Sequence, residues 1–286
     1  MDIQILADYK CVIGENPLWH PVEKCLYWCD IDAGRIFRYE PLSKRHEVVF
    51  QGDPLGGFTM QADGALLLFM DRGAVKSWKN NRLTTLIEEI PDERESRFND
   101  VIADPAGRVF CGMLASPQRP GRLYRLDPSL KVQVLLEGIG GPNGMGFTLD
   151  RKGFYFTDSL EHCIYLFDYN AEQGSITNQR VFVRVPPEQG LPDGMTVDSL
   201  GHIWSAQWNG GALVRYTFQG TIERRIPIPA AKKITSVMFG GEDYTDIYIT
   251  SGGGDKKAVE GTGAGALFRL NLNISGAPEF FSRIGL

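Results

Sequence analysis

The chain has 286 residues, 43% of them hydrophobic and 23% charged, and a formal net charge of −5. These proportions exclude a disordered or fibrous protein, and the negative balance gives no footing to a nucleic-acid backbone or an anionic membrane. No apolar run approaches the roughly 20 residues of a membrane-spanning helix, and the 33 glycines and 16 prolines are scattered in short clusters that suit many tight turns.

The N-terminal stretch MDIQILADYKCVIGENP carries an acid at its second position and has neither a basic leader nor an apolar core before a small-residue cleavage site. No signal peptide is expected. Five cysteines, an odd number without a C-x-x-C pair, point to reduced thiols in a cytoplasmic protein. From residue 25 onward one unit recurs. Its apolar first strand reads CLYWC (25–29), ALLLF (65–69), RVFCG (108–112), FYFTD (154–158), HIWSA (202–206) and DIYIT (246–250), with starts 40, 43, 46, 48 and 44 residues apart. A companion strand follows each: RIFRY, AVKSW, RLYRL, CIYLF, ALVRY and ALFRL. Turn sequences such as QADG, DPAG and DSLG precede most first strands. Helical periodicity is weak throughout, and its best instance, RLTTLIEEI (82–90), reads equally well as a strand and a turn. A period of roughly 40–50 residues with several short strands per unit predicts an all-β fold, a six-bladed β-propeller. It is expected to be a single domain over residues 1–286. Residues 3–13 precede the first full unit and are expected to pair with the last blade, removing an exposed edge.

A short segment lies upstream of each first strand, where a propeller has its innermost strand: GENPLW (14–19), LGGFTM (55–60), RFNDVI (97–102), GPNGMG (141–146), LPDGMT (191–196) and TSVMFG (235–240). One column through them reads Glu15, Gly56 or Gly57, Asn99, Asn143, Asp193 and Ser236. Taken alone, PNGM or PDGM is most simply a turn. Their identical placement in successive repeats, together with Glu15 and Asn99, argues instead for oxygen donors gathered at one end of a channel. Oxygen-only donors suit one divalent ion, Ca²⁺, Mg²⁺ or Mn²⁺, with Zn²⁺ also admissible.

GENPLW, SRFND, PNGM, the DSL of FTDSL, PDGM with DSLGHIW, NGGALVRY and TSVMFGG occur in order along nearly the whole chain. In these motifs the sequence resembles the SMP-30/gluconolactonase/regucalcin-like family. The resemblance implies a six-bladed propeller that holds one divalent metal and hydrolyses sugar lactones. It would make Glu15, Asn143 and Asp193 the metal ligands, with Asp193 also the catalytic base, and would put Arg97 and Asn99 on the substrate. The expected function is a metal-dependent hydrolase that opens aldonolactones to aldonic acids, with a small-molecule sugar lactone as its partner. Two alternatives stay open: a regucalcin-like calcium-binding regulatory protein, and a propeller hydrolase acting on another lactone or a phosphotriester. Some family members carry an acidic, substrate-contacting lid residue before the third companion strand. Here that stretch is Ser116-Pro117-Gln118-Arg119-Pro120-Gly121, without a carboxylate.

Other signals lead elsewhere. The Gly-rich stretch 251–266 lacks GxxxxGK[ST] and a following helix pattern, and reads as a crossover in the sixth blade. Asp30-x-Asp32-x-Gly34 begins like a calcium loop, but its twelfth position is Pro41. There is no GxSxG elbow, and His20, His46, His162 and His202 have no metal-ligand spacing. Trp204, Trp208 and Met113 are expected to wall the pocket.

Overall fold

The computed structural model describes residues 2–286. The chain opens with β1 (Gln4–Asp8) and then lays down five sheets in chain order. The first contains β2 (Gly14–His20), β3 (Cys25–Asp30), β4 (Arg35–Glu40) and β5 (Arg45–Gln51). The second contains β6 (Leu55–Met60), β7 (Leu66–Met70), β8 (Val75–Lys79) and β9 (Arg82–Ile87). The third contains β10 (Phe98–Ala103), β11 (Val109–Met113), β12 (Gly121–Leu126) and β13 (Val132–Ile139). The fourth contains β14 (Pro142–Phe147), β15 (Gly153–Asp158), β16 (Cys163–Asn170) and β17 (Ser175–Arg184). The fifth contains β18 (Leu191–Val197), β19 (Ile203–Trp208), β20 (Ala212–Tyr216) and β21 (Ile222–Pro227). The sixth orders β22 (Ile234–Gly240), β23 (Asp246–Ser251) and β24 (Ala266–Asn271), with β1 as its outer strand. Six four-stranded sheets of this kind are a six-bladed β-propeller.

Burial explains why the repeat is visible. Strands β3, β7, β11, β15 and β19 are buried along almost their whole length, because both faces of a blade's second strand are covered. A strand covered on both faces reads as a continuous apolar run instead of alternating. The outer strands β5, β9 and β21 are largely exposed and polar.

The chain forms two compact units. Residues 1–52 and 182–278 make the first, with the first, fifth and sixth sheets. In it β22 runs beside both β2 and β18. Its core joins Trp204, Leu213 and Ile226 to Phe239, Ile247 and Phe268. β1 pairs antiparallel with β24, Gln4 opposite Arg269 and Asp8 opposite Ala266. Residues 53–181 and 279–286 make the second unit, in which β10 runs beside β6 and β14. Leu67, Phe69, Phe98 and Val109 form one of its cores, and Phe110, Phe147, Phe154 and Phe167 another.

The turns ahead of the second strands are held by buried aspartates. Asp198 accepts the Leu200 and His202 N–H groups at 2.9 and 3.0 Å, the Trp204 indole N–H at 2.9 Å, and two Arg215 bonds at 2.8 and 2.6 Å. Asp104 similarly accepts Ala106 N–H at 2.8 Å, Arg108 Nε at 2.5 Å and the Tyr169 hydroxyl at 2.8 Å. The DSLG and DPAG signals are therefore side-chain-capped turns.

The stretch at 82–90 supplies strand β9, the strand reading its pattern allowed, because its side chains sit on an exposed outer edge with no apolar face to bury as a helix. The segment 251–266 is the crossover from β23 to β24 in the sixth sheet, as expected, and it contains a one-turn helix, α1 (Lys257–Glu260). One expectation needs correcting: Trp204 and Met113 do not wall a pocket. Both are fully buried in inter-blade cores, Trp204 held by Asp198 and stacked under the Arg215 guanidinium. No helix among the described residues is long and apolar enough to cross a membrane.

Candidate active site

Every innermost strand is bulged at the column of candidate residues. The register with the second strand shifts between Glu15 and Leu18, Leu55 and Gly57, Phe98 and Val101, Asn143 and Met145, Pro192 and Met195, and Ile234 and Ser236. A bulge adds a residue to one strand and re-aims its side chain without ending the sheet. PNGM and PDGM are thus not turns, since β14 and β18 run straight through them.

In the first unit, Glu15 and Asp193 are both buried, 8% and 6% exposed. They stand on β2 and β18, the two strands that flank β22. The β22 bulge links them. Thr235 Oγ1 donates to the Gly14 carbonyl oxygen at 2.5 Å. On the other side, a Cβ on Gly194 would lie 2.2 Å from Ser236 Oγ and 2.8 Å from its Cα, so only glycine allows the strand beside Asp193 to approach this closely. Glu15 Oε2 accepts the Asn16 N–H at 2.8 Å, and Asn16 takes a left-handed φ of 49° as the chain crosses the bulge.

In the second unit, Arg97 and Asn99 are half-buried and bonded to each other. Arg97 Nη1 donates to Asn99 Oδ1 and to the Phe98 carbonyl oxygen, both at 2.9 Å. Asn99 Nδ2 then donates to the Pro142 carbonyl oxygen at 2.9 Å, joining the SRFND and PNGM motifs. Gly56 lets β6 close against β10, because a Cβ there would lie 1.9 Å from the Phe98 oxygen. Asn143 donates to Ser159 Oγ at 3.2 Å and accepts the Gly144 N–H at 3.1 Å. Asp158 accepts the Gly140 and Gly141 N–H groups at 2.9 and 2.8 Å. The DSL motif therefore orients the segment that carries Asn143, a role the motif did not disclose by itself.

Two further carboxyl groups escaped sequence reasoning. Burial raises the Asp100 carboxyl to about 6, against the bond it accepts from Val101 N–H at 2.7 Å. Burial, with the Asp100 charge adding to it, raises Glu279 to about 7. Asp100 lies inside SRFND, but Glu279 belongs to the segment after the last strand, where no repeat points to it.

The donor chemistry fits a hard divalent cation. The two buried carboxylates, Glu15 and Asp193, would offset its charge. Among the described residues no three His, Cys, Asp or Glu side chains gather into a metal cluster, so a set limited to acids and histidines is not present. The five cysteines are buried and unbridged, and burial pushes the Cys25 thiol up to about 11, unsuited to act as a nucleophile near neutral pH.

Comparison with known proteins identifies the family and the fold. The profile of the SMP-30/Gluconolactonase/LRE-like region matches residues 13–253. Pentonolactonase XacC of Haloferax volcanii is 46% identical over 295 aligned positions, covering 100% of both proteins. A solved luciferin-regenerating enzyme superposes with a TM-score of 0.90 at 25% identity, covering 99% of each chain. A calcium-binding protein, regucalcin, from Agrobacterium tumefaciens superposes with a TM-score of 0.89 at 26% identity, over 98% of this chain and 97% of that one.

Proposed function

Since the chain belongs to the SMP-30/gluconolactonase/LRE-like family, we propose that it is a lactonase that opens sugar lactones to the corresponding acids, using a divalent metal. The observation that carries this reading is the pair of buried carboxylates, Glu15 and Asp193, on the bulged strands either side of β22. The full-length similarity to a pentonolactonase supports it.

In this reading Glu15, Asn143 and Asp193 hold the metal, which when bound supplies a positive charge that polarises a lactone carbonyl and acidifies water. The remaining work falls to the chain's own groups. Asp193 takes a proton from the attacking water as its oxygen bonds to the carbonyl carbon. The tetrahedral adduct then collapses with cleavage of the bond to the ring oxygen, and the proton passes from Asp193 to that oxygen. Arg97, oriented by Asn99, donates hydrogen bonds to substrate oxygens through its planar fork. A calcium-binding protein without turnover would use the same carboxylates but would have no substrate for the Arg97 guanidinium to hold.

The test is hydrolysis of a panel of pentono- and hexonolactones, and of a phosphotriester, by metal-stripped protein before and after adding Ca²⁺, Mg²⁺, Mn²⁺ or Zn²⁺. The expected result is loss of lactone opening on stripping and its return with at least one ion. Full activity in protein free of metal by elemental analysis would sink the metal requirement. Binding of Ca²⁺ with no turnover of any lactone would favour the calcium-binding reading.

A further inference from the structure

Glu93 is completely buried, yet it belongs to no repeat. It ends the short 3₁₀ turn Pro91–Glu93, four residues ahead of Arg97. Its carboxylate meets the Arg119 guanidinium, accepts the Tyr124 hydroxyl, and has Arg122 Nη1 at 3.9 Å. Arg122 and Tyr124 come from β12. Arg119 comes from the Ala115–Pro120 loop, whose exposed tip includes Pro117 and Gln118. Arg119 Nε also donates to the Asp92 carbonyl oxygen at 3.2 Å, and its side chain is only 12% exposed.

The loop is closed on itself by two backbone bonds between Ser116 and Arg119, at 2.9 and 3.3 Å. It starts against Arg97: the Leu114 N–H donates to the Arg97 carbonyl oxygen at 3.1 Å, and Ser96 Oγ donates to the Leu114 carbonyl oxygen at 2.6 Å. A buried carboxylate is tolerated only when its charge is matched and its lone pairs are used. Arg119 is the sole charged residue of the 115–120 loop, and its charge is spent on Glu93.

We propose that Glu93 is a positioning residue that seats the Ala115–Pro120 loop beside Arg97 through Arg119 and cancels the loop's charge. The loop then meets a neutral, hydroxyl-bearing lactone with the polar groups of Ser116 and Gln118. This rests on the lactonase reading for its substrate and deepens it to a class, uncharged sugar lactones.

Two variants test it. Glu93→Gln keeps the shape and most hydrogen bonds but leaves Arg119 uncompensated. The ratio of kcat/KM for 6-phosphoglucono-1,5-lactone to that for glucono-1,5-lactone should rise about three- to tenfold, as expected for one unmatched charge near a partly solvated site. A merely structural role would lower both values by the same factor. Arg119→Met should release the loop: amide hydrogen exchange over residues 114–121 should accelerate by about tenfold or more, with KM for the neutral lactone raised and kcat within about twofold. Arg119→Lys should restore most of both. Unaltered exchange in Arg119→Met, or an unaltered substrate ratio in Glu93→Gln, overturns the proposal. If the parent protein opens neither lactone, the lactonase reading fails, and the exchange experiment still decides whether Glu93 and Arg119 seat the loop.

Discussion

At the scale of single residues, chemistry and stability pull on different carboxyl groups. In the proposed mechanism Asp193→Asn retains an oxygen for a metal but removes the base, so kcat should fall by about 10²–10⁴. Steady-state kinetics at saturating metal measure this, and near-parent turnover would take Asp193 out of the base role. Asp100 and Glu279 act on folding. Burial keeps their carboxyl groups protonated up to about 6 and about 7. The folded state therefore binds more protons than the unfolded state from roughly pH 4 to 7, and stability is lost as pH rises through that window. Glu279→Gln, neutral at every pH, should flatten this dependence and stabilise the protein at pH 8 by about 1–2 kcal/mol, less than the full linkage value because the side chain keeps some solvent. Urea denaturation at pH 5 and pH 8 reads it; an equal gain or loss at both pH values would show that Glu279 does not titrate in this range.

At the scale of elements, the bulge is the device that re-aims a side chain on each blade's inner strand. Gly194→Ala should force β18 away from β22, since the new Cβ would meet the Ser236 side chain and Cα. We expect a stability loss of about 1–3 kcal/mol and a fall in turnover larger than that of an alanine elsewhere on the strand. Ser236→Gly in the same chain should recover part of both, because it removes the two side-chain atoms in the way. No recovery would mean that the spacing of β18 and β22 is not what Gly194 protects. This element also marks the limit of sequence reasoning. The column Glu15, Asn99, Asn143, Asp193 and Ser236 was legible because second strands covered on both faces keep an apolar register. That each position is a bulge was not, since Asn-Gly and Asp-Gly are the same signal for a turn. Trp204 and Met113 misled for a related reason: a large side chain on a second strand faces the neighbouring blade. The Glu93–Arg119 contact joins two irregular segments across 26 positions, where no periodicity can reveal it.

At the scale of the whole chain, the same repeat must begin and end somewhere, and a sheet that ends in an unpaired strand invites association. The chain meets this by supplying the outer strand of its last sheet from its first residues. β1 covers the edge of β24, buries Ala7, and leads into Tyr9, whose ring stacks on Phe37 at 4.4 Å and whose hydroxyl pairs with His46 Nδ1 at 2.9 Å. Beginning the chain at Lys10 would expose the β24 ladder from Ala266 to Arg269 and uncover this apolar surface. We expect a stability loss of about 2–4 kcal/mol and concentration-dependent self-association greater than that of the parent, read by denaturation and sedimentation velocity. Tyr9→Ala in the full chain separates the two effects. It should lose part of the stability without the association, because β1 still occupies the edge. If the shortened chain sediments like the parent at every concentration, edge protection is not what β1 contributes, and its value lies in packing alone.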